Sequence, residues 1–74
     1  MRFHIRLQAQ RIKYDLTTKE LADHLGVSVR LIQRYETGER KPNIVRLSEI
    51  ADYFGVSTDY LLGRTDELDP YPRP

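Results

Sequence analysis

Glycines and helix-capping residues punctuate the chain at intervals that admit short helices and little else. Gly26, Gly55 and Gly63 each follow an apolar-periodic run. A helix ends there when the next residue turns left-handed, a conformation glycine takes up freely. Ahead of the runs stand Thr17, Ser28, Asn43 and Ser57, whose side-chain oxygens can accept from the free N–H groups of a first helical turn. Neither sustained period-two alternation nor an Asn-Gly turn marks a strand or hairpin. The spacing therefore predicts an all-α chain of five short helices. The first covers about Phe3 to Tyr14, the second lies between Thr17 and Gly26, and the third runs from Ser28 to about Glu36. The fourth follows Asn43, and the fifth spans roughly Thr58 to Leu62.

Local detail sharpens this pattern. Thr17-Thr18-Lys19-Glu20 is a capping box, with Thr17 as the cap, Glu20 reaching back, and Leu16 and Leu21 as its flanking staple. Val27 and Ile32 form a second staple around Ser28. Phe3, Leu7 and Tyr14 share one face of the first helix, with Arg11 at its edge. In the fourth, Ile44, Leu47, Ile50, Ala51 and Phe54 fall at helical spacing. Three prolines in the last five residues forbid a helix there, so residues 67–74 read as a flexible proline-rich tail that would suit a linker, after a single domain over residues 1–66.

Seventy-four residues allow one core, and such a chain buries only about 60% of its unfolded surface. There is no cysteine, which excludes disulfides, Cys-based metal sites and thiol chemistry. The longest apolar run, Tyr60-Leu61-Leu62, is far too short for a transmembrane helix or signal peptide, so the cytosol is the default compartment. His4 and His24 have no partner at ligand spacing. The serines show no nucleophile–base pattern, and no glycine-rich loop cradles phosphate, so neither an enzyme nor a cofactor is expected. The net charge of +1 conceals an asymmetry. Residues 1–41 carry nine Lys/Arg against five Asp/Glu, and residues 42–74 three against six. The N-terminal part can face a polyanion, although an excess of this size is also common on solvated surfaces.

Between Thr17 and Thr37 the two helices have the layout of a helix-turn-helix. Only Gly26 and Val27 separate Leu25 from the cap Ser28, so the helices must cross steeply. Leu21, Ala22 and Leu25 face inward from one, and Val27, Ile32 and Tyr35 from the other. The opposite face of the third helix carries Arg30, Gln33, Arg34 and Thr37. Arg can pair bidentately with guanine and Gln with adenine in a major groove about 12 Å wide. A polar face with two arginines is equally what a solvated helix displays.

The ordered series Leu16-Thr17-Thr18-Lys19-Glu20-Leu21-Ala22, Leu25-Gly26-Val27-Ser28, Ile32-Gln33-Arg34-Tyr35-Glu36-Thr37-Gly38 and Lys41-Pro42 resembles the Cro/repressor-type helix-turn-helix, the XRE family. The stretch from Leu47 through Phe54-Gly55-Val56-Ser57 to Asp66 is similar to the ending of many short bacterial and phage repressors. The resemblance covers residues 3–66. It implies a five-helix, phage-repressor-like DNA-binding domain, bacterial or phage-encoded, cytoplasmic and nucleoid-associated. It further implies a transcriptional regulator, a repressor, binding a palindromic operator in double-stranded DNA as a homodimer, with the third helix in the major groove. No membrane partner or small-molecule ligand is implied. Val29 and Arg30 would meet base edges first, then Gln33 and Arg34. Phosphates would be held by Thr17 and Thr18 at the second helix, by Thr37, and by Arg40, Lys41 and Asn43 in the following loop. Free helix N–H groups and loop cations suit that task. Arg11 and Glu36 occupy positions that form a buried ion pair in the family; the alternative for Arg11 is a phosphate contact, and the two roles are compatible.

The chain departs from the family at four places. Thr18 stands where a glutamine usually braces the third helix, and Asp15 where glycine often ends the first. Val29 and Leu31 replace polar residues, to touch thymine methyls or, for Leu31, to rim the core. Ile5, Ala9 and Ile12 give the first helix a second apolar face, for burial against the fifth helix or tail, or for a partner. The fifth helix with Tyr60, Leu61 and Tyr71 is a rival dimer surface. An exposed apolar patch on either would favour a different class of function, a protein-interaction module such as an antitoxin or adaptor.

Overall fold

A computed structural model describes residues 2–68. Five helices follow one another: α1 (Phe3–Lys13), α2 (Thr18–Leu25), α3 (Val29–Thr37), α4 (Ile44–Phe54) and α5 (Thr58–Leu61). No strand occurs among the described residues. The expected boundaries agree to within about one residue.

The caps explain why the helices start where they do. Thr17 Oγ1 accepts from the Glu20 N–H at 3.0 Å, and the Glu20 carboxylate accepts from the Thr17 N–H at 3.0 Å, closing the box. Ser28, Asn43 and Ser57 accept from the N–H groups of Leu31, Arg46 and Tyr60 at 3.1, 2.8 and 2.9 Å. Each such cap contributes about 1 kcal/mol. At the other end of α2, Gly26 turns left-handed (φ 69°) and the Val27 N–H donates to the Ala22 carbonyl at 3.0 Å. That six-to-one bond closes α2 and leads the chain into α3 within three residues, with the two helices packed together. Asp15 takes the same conformation with φ 57°, without glycine's freedom to do so.

The core gathers Phe3 and Leu7 of α1, Leu21 and Ala22 of α2, and Ile32 and Tyr35 of α3. Ile50, Ala51 and Phe54 of α4, Val56, and Leu61 of α5 complete it. Phe3 and Tyr35 meet edge to face, with ring centroids 6.0 Å apart. Arg6 ties α1 to the C-terminal segment. Its guanidinium donates to the carbonyls of Tyr60 (3.0 Å) and Thr65 (2.6 Å) and to the Asp66 carboxylate (2.6 Å), and lies 4.2 Å from the centre of the Tyr60 ring.

Four expectations need correction. Tyr14 does not share the buried face of α1: it is 51% exposed and stacks on Phe54, while Gln10 is buried in its place. Ile44 is 82% exposed, because the first turn of α4 carries it outside the core. Leu61 is fully buried and has no surface to offer a second copy. Ile5 and Ile12 are 57% and 62% exposed and Ala9 is also exposed, so α5 does not cover them. Leu31 does pack along the rim of the core. Of the expected tail, residues 69–74, with Tyr71, lie outside the described residues. The Leu68 carbonyl accepts from the Ser57 N–H at 3.0 Å.

Candidate nucleic-acid interface

Helix α3 is the element best placed to meet an external partner with polar side chains. Its inner face is fixed by Ile32 and Tyr35, so Arg30, Gln33 and Thr37 stand outward and exposed. Arg34 is half-buried beside them. The four line one shallow groove together with Glu39. Glu39 carries a signal that sequence reasoning missed. Its carboxylate lies 3.9 Å from Arg34 Nε, loosely partnering that guanidinium at the groove edge. Val29 is only partly exposed and packs against the core, apart from that groove.

The expected phosphate contacts separate into two places. At the start of α2, Thr17 has its N–H and its hydroxyl oxygen engaged in the capping box, and Thr18 is half-buried. The box also holds the Glu20 carboxylate at that N-terminus. The backbone N–H of Thr17, then its hydroxyl, bonds the carboxylate and pulls its pKa below the ordinary value. A carboxylate here already takes the helix-end N–H and weakens the attraction for phosphate. On the far side of α3, Thr37, Arg40 and Lys41 line a common cleft. Arg40 and Lys41 are exposed, and neither joins an ion pair among the described residues. The Thr37 hydroxyl donates to the Arg34 carbonyl at 3.2 Å, and the Arg40 N–H donates to the same oxygen at 3.1 Å. Asn43 spends its side-chain oxygen on the α4 cap.

Three arginines off the groove hold it in shape. Arg11 grips Glu36 with two bonds, Nε to Oε2 at 2.7 Å and Nη2 to Oε1 at 3.0 Å, while Nη1 donates to the Leu16 carbonyl at 2.8 Å. Both side chains are largely buried. The Glu36 hydrogen bond, opposed by burial and aided by its charge, raises the Arg11 pKa further. All three guanidinium nitrogens take part in these bonds, which form the expected ion pair. The bond fixes the last turn of α3, one residue before Thr37. Arg46 reaches from α4 to the Leu25 carbonyl at the end of α2 (3.0 Å), and Arg6 anchors α1 as described. Arg46 and Arg6 carried no sequence signal, because their partners are backbone carbonyls that any residue supplies.

Comparison with known proteins agrees with this arrangement. The family described as Helix-turn-helix matches residues 7–61. The chain is 39% identical over 69 residues to the cryptic phage CTXphi transcriptional repressor RstR of Vibrio cholerae, covering 90% of this chain and 62% of that protein. It is 37% identical over 65 residues to the uncharacterized HTH-type transcriptional regulator YobD of Bacillus subtilis, covering 88% and 58%. With the HTH-type transcriptional activator BcrR of Enterococcus faecalis it shares 39% over 62 residues, covering 84% and 30%. The chain thus spans about three fifths of the length of the first two relatives. Its capped helix pair, its outward α3 face and the match over most of its length agree: the chain belongs to the XRE-type helix-turn-helix family.

Proposed function

We propose that this chain reads double-stranded DNA by sequence, as the DNA-binding part of a transcriptional regulator, with α3 lying in the major groove. The observation that carries this is the groove lined by Arg30, Gln33, Arg34 and Thr37, joined through Thr37 to a cleft with two cations that enter no ion pair among the described residues. Base-edge donors and phosphate-neutralising charges are thereby adjacent on one rigid helix end. Arg30 is the principal base reader, with Gln33 and Arg34 beside it and Val29 offering an apolar contact. Arg40 and Lys41 position the backbone, and Thr17, Thr18, Thr37 and Asn43 lie at its margin. Regulation by occupying an operator is supported by the repressor among the relatives.

A symmetric homodimer on a palindrome belongs to the same proposal. Ile44 and Val45, 82% and 69% exposed, follow directly on the phosphate-facing loop and suit contact with a second copy. Selection of bound duplexes from a random pool, at near-physiological salt, tests the whole reading. A palindrome with half-site centres roughly one helical turn apart is the expected product. A pool without an enriched motif would overturn it.

One observation favours a second reading. The outer face of α1 leaves Ile5, Ala9 and Ile12 uncovered, as a protein-interaction module such as an antitoxin or adaptor would need. Loss of partner binding in Ile5→Asp, with DNA selection unaffected, would assign that face a separate role.

A further inference from the structure

We infer that the cleft between the start of α1 and the α3–α4 loop seats a backbone phosphate of DNA, and that His4 is one of its contacts; this rests on the DNA reading of α3. His4 shares the cleft with Thr37, Gly38, Arg40 and Lys41 over a floor made by the Phe3 and Tyr35 rings. Of the polar side chains lining it, His4, Arg40 and Lys41 can donate a hydrogen bond to an anion, while the Thr37 hydroxyl is spent on the Arg34 carbonyl. None is a carboxylate: the nearest acid in sequence, Glu39, lines the groove on the other side of Thr37, towards Arg34.

Position supports the same ligand. Thr37 lines both depressions, so an anion in this cleft lies directly beside the groove where α3 meets base edges. A phosphodiester flanking the major groove occupies such a place. The imidazole is held close to the loop. A Cβ added at Gly38 would lie 3.4 Å from His4 Cγ, an ordinary van der Waals contact, so the ring rests just beside the loop, whose left-handed turn (φ 81°) favours glycine. The aromatic floor excludes water beneath the anion, which strengthens charge-assisted bonds above it. α1 is thus a third supplier of phosphate contacts, besides α3 and the loop.

The test measures binding of wild type, His4→Ala and His4→Phe to the selected duplex and to an unrelated one, with single phosphates replaced by neutral methylphosphonates. His4→Ala should weaken binding to both duplexes alike, by about fivefold, the net worth of one hydrogen bond. One methylphosphonate position should cost wild type affinity and cost His4→Ala nothing further. Equal binding by wild type and His4→Ala, with no such position, would overturn the inference while leaving the DNA reading intact. If His4→Ala does not fold, His4→Phe, which keeps a ring without a donor, takes its place, and binding equal to wild type with the same methylphosphonate profile overturns the inference. A wild-type chain that binds no duplex would remove the DNA reading and this inference together.

Discussion

Glu36 and Arg11 meet across 25 residues of sequence, and both are largely withdrawn from water. Removing one partner strands a buried charge, so Glu36→Ala should lower the unfolding free energy by about 3–5 kcal/mol. Domains of this kind hold only about 5–15 kcal/mol in all. Chemical denaturation of Glu36→Ala beside the double variant Arg11→Met/Glu36→Leu checks the argument. The double variant should recover most of the loss, since it leaves no unpaired charge. Asp15 offers a test of opposite sign. Its positive φ strains a residue with a Cβ, so Asp15→Gly should gain about 0.5–1 kcal/mol after the greater unfolded-state entropy of glycine is counted. A thermal midpoint raised by several degrees would bear this out; a lowered one would show that the Asp side chain compensates its own strain.

Among the elements, α2 begins on a carboxylate and α3 ends in cations, and the two ends respond differently to solution conditions. The Glu20 pKa is lowered from its ordinary 4.5 by its bond to the Thr17 N–H. A lowered folded-state pKa means that the unfolded chain takes up the proton first as pH falls. The stabilisation is therefore complete above pH 4.5 and is lost as pH drops through the lower, folded value. Thermal midpoints taken between about pH 3 and 6 should fall less steeply in Glu20→Gln than in wild type. For α3 and its loop, salt and sequence are the variables. Arg30→Ala should cost about 1–3 kcal/mol at one base position and leave other sequences nearly alike. Lys41→Ala should weaken all sequences together and reduce the slope of log K against log salt by roughly 0.9. Binding assays on matched and mismatched duplexes separate the two effects. The helix ends on which these tests rest were legible beforehand, because Thr17, Ser28, Asn43, Ser57 and the glycines act within four residues of themselves. The outward α3 face was legible too, since Ile32 and Tyr35 leave one side free. The roll of α1 was not: whether Tyr14 or Gln10 turns inward depends on α3 and α5, which lie far along the chain. Glu39's position beside Arg34, and His4's place in the cleft, likewise depend on the path of the loop after Gly38.

At the scale of the whole molecule, α2 packs on α3 and α4 on α5, α1 reaches along the chain to both α3 and α5, and one side chain adds polar bonds from α1 to the segment around and beyond α5. The bonds of Arg6 to Tyr60, Thr65 and Asp66 span 54 to 60 residues. Contacts between near neighbours form quickly, whereas closing so long a loop is entropically the last step to become favourable. The Arg6 clamp should therefore be absent at the folding barrier and present only beyond it. Arg6→Ala should leave the refolding rate unchanged in stopped-flow experiments. For a loss of one to two kcal/mol it should speed unfolding about 5–30-fold. A slowed refolding limb would place the clamp inside the nucleus instead. On this account one guanidinium prolongs the life of the folded molecule and has no part in how soon it forms.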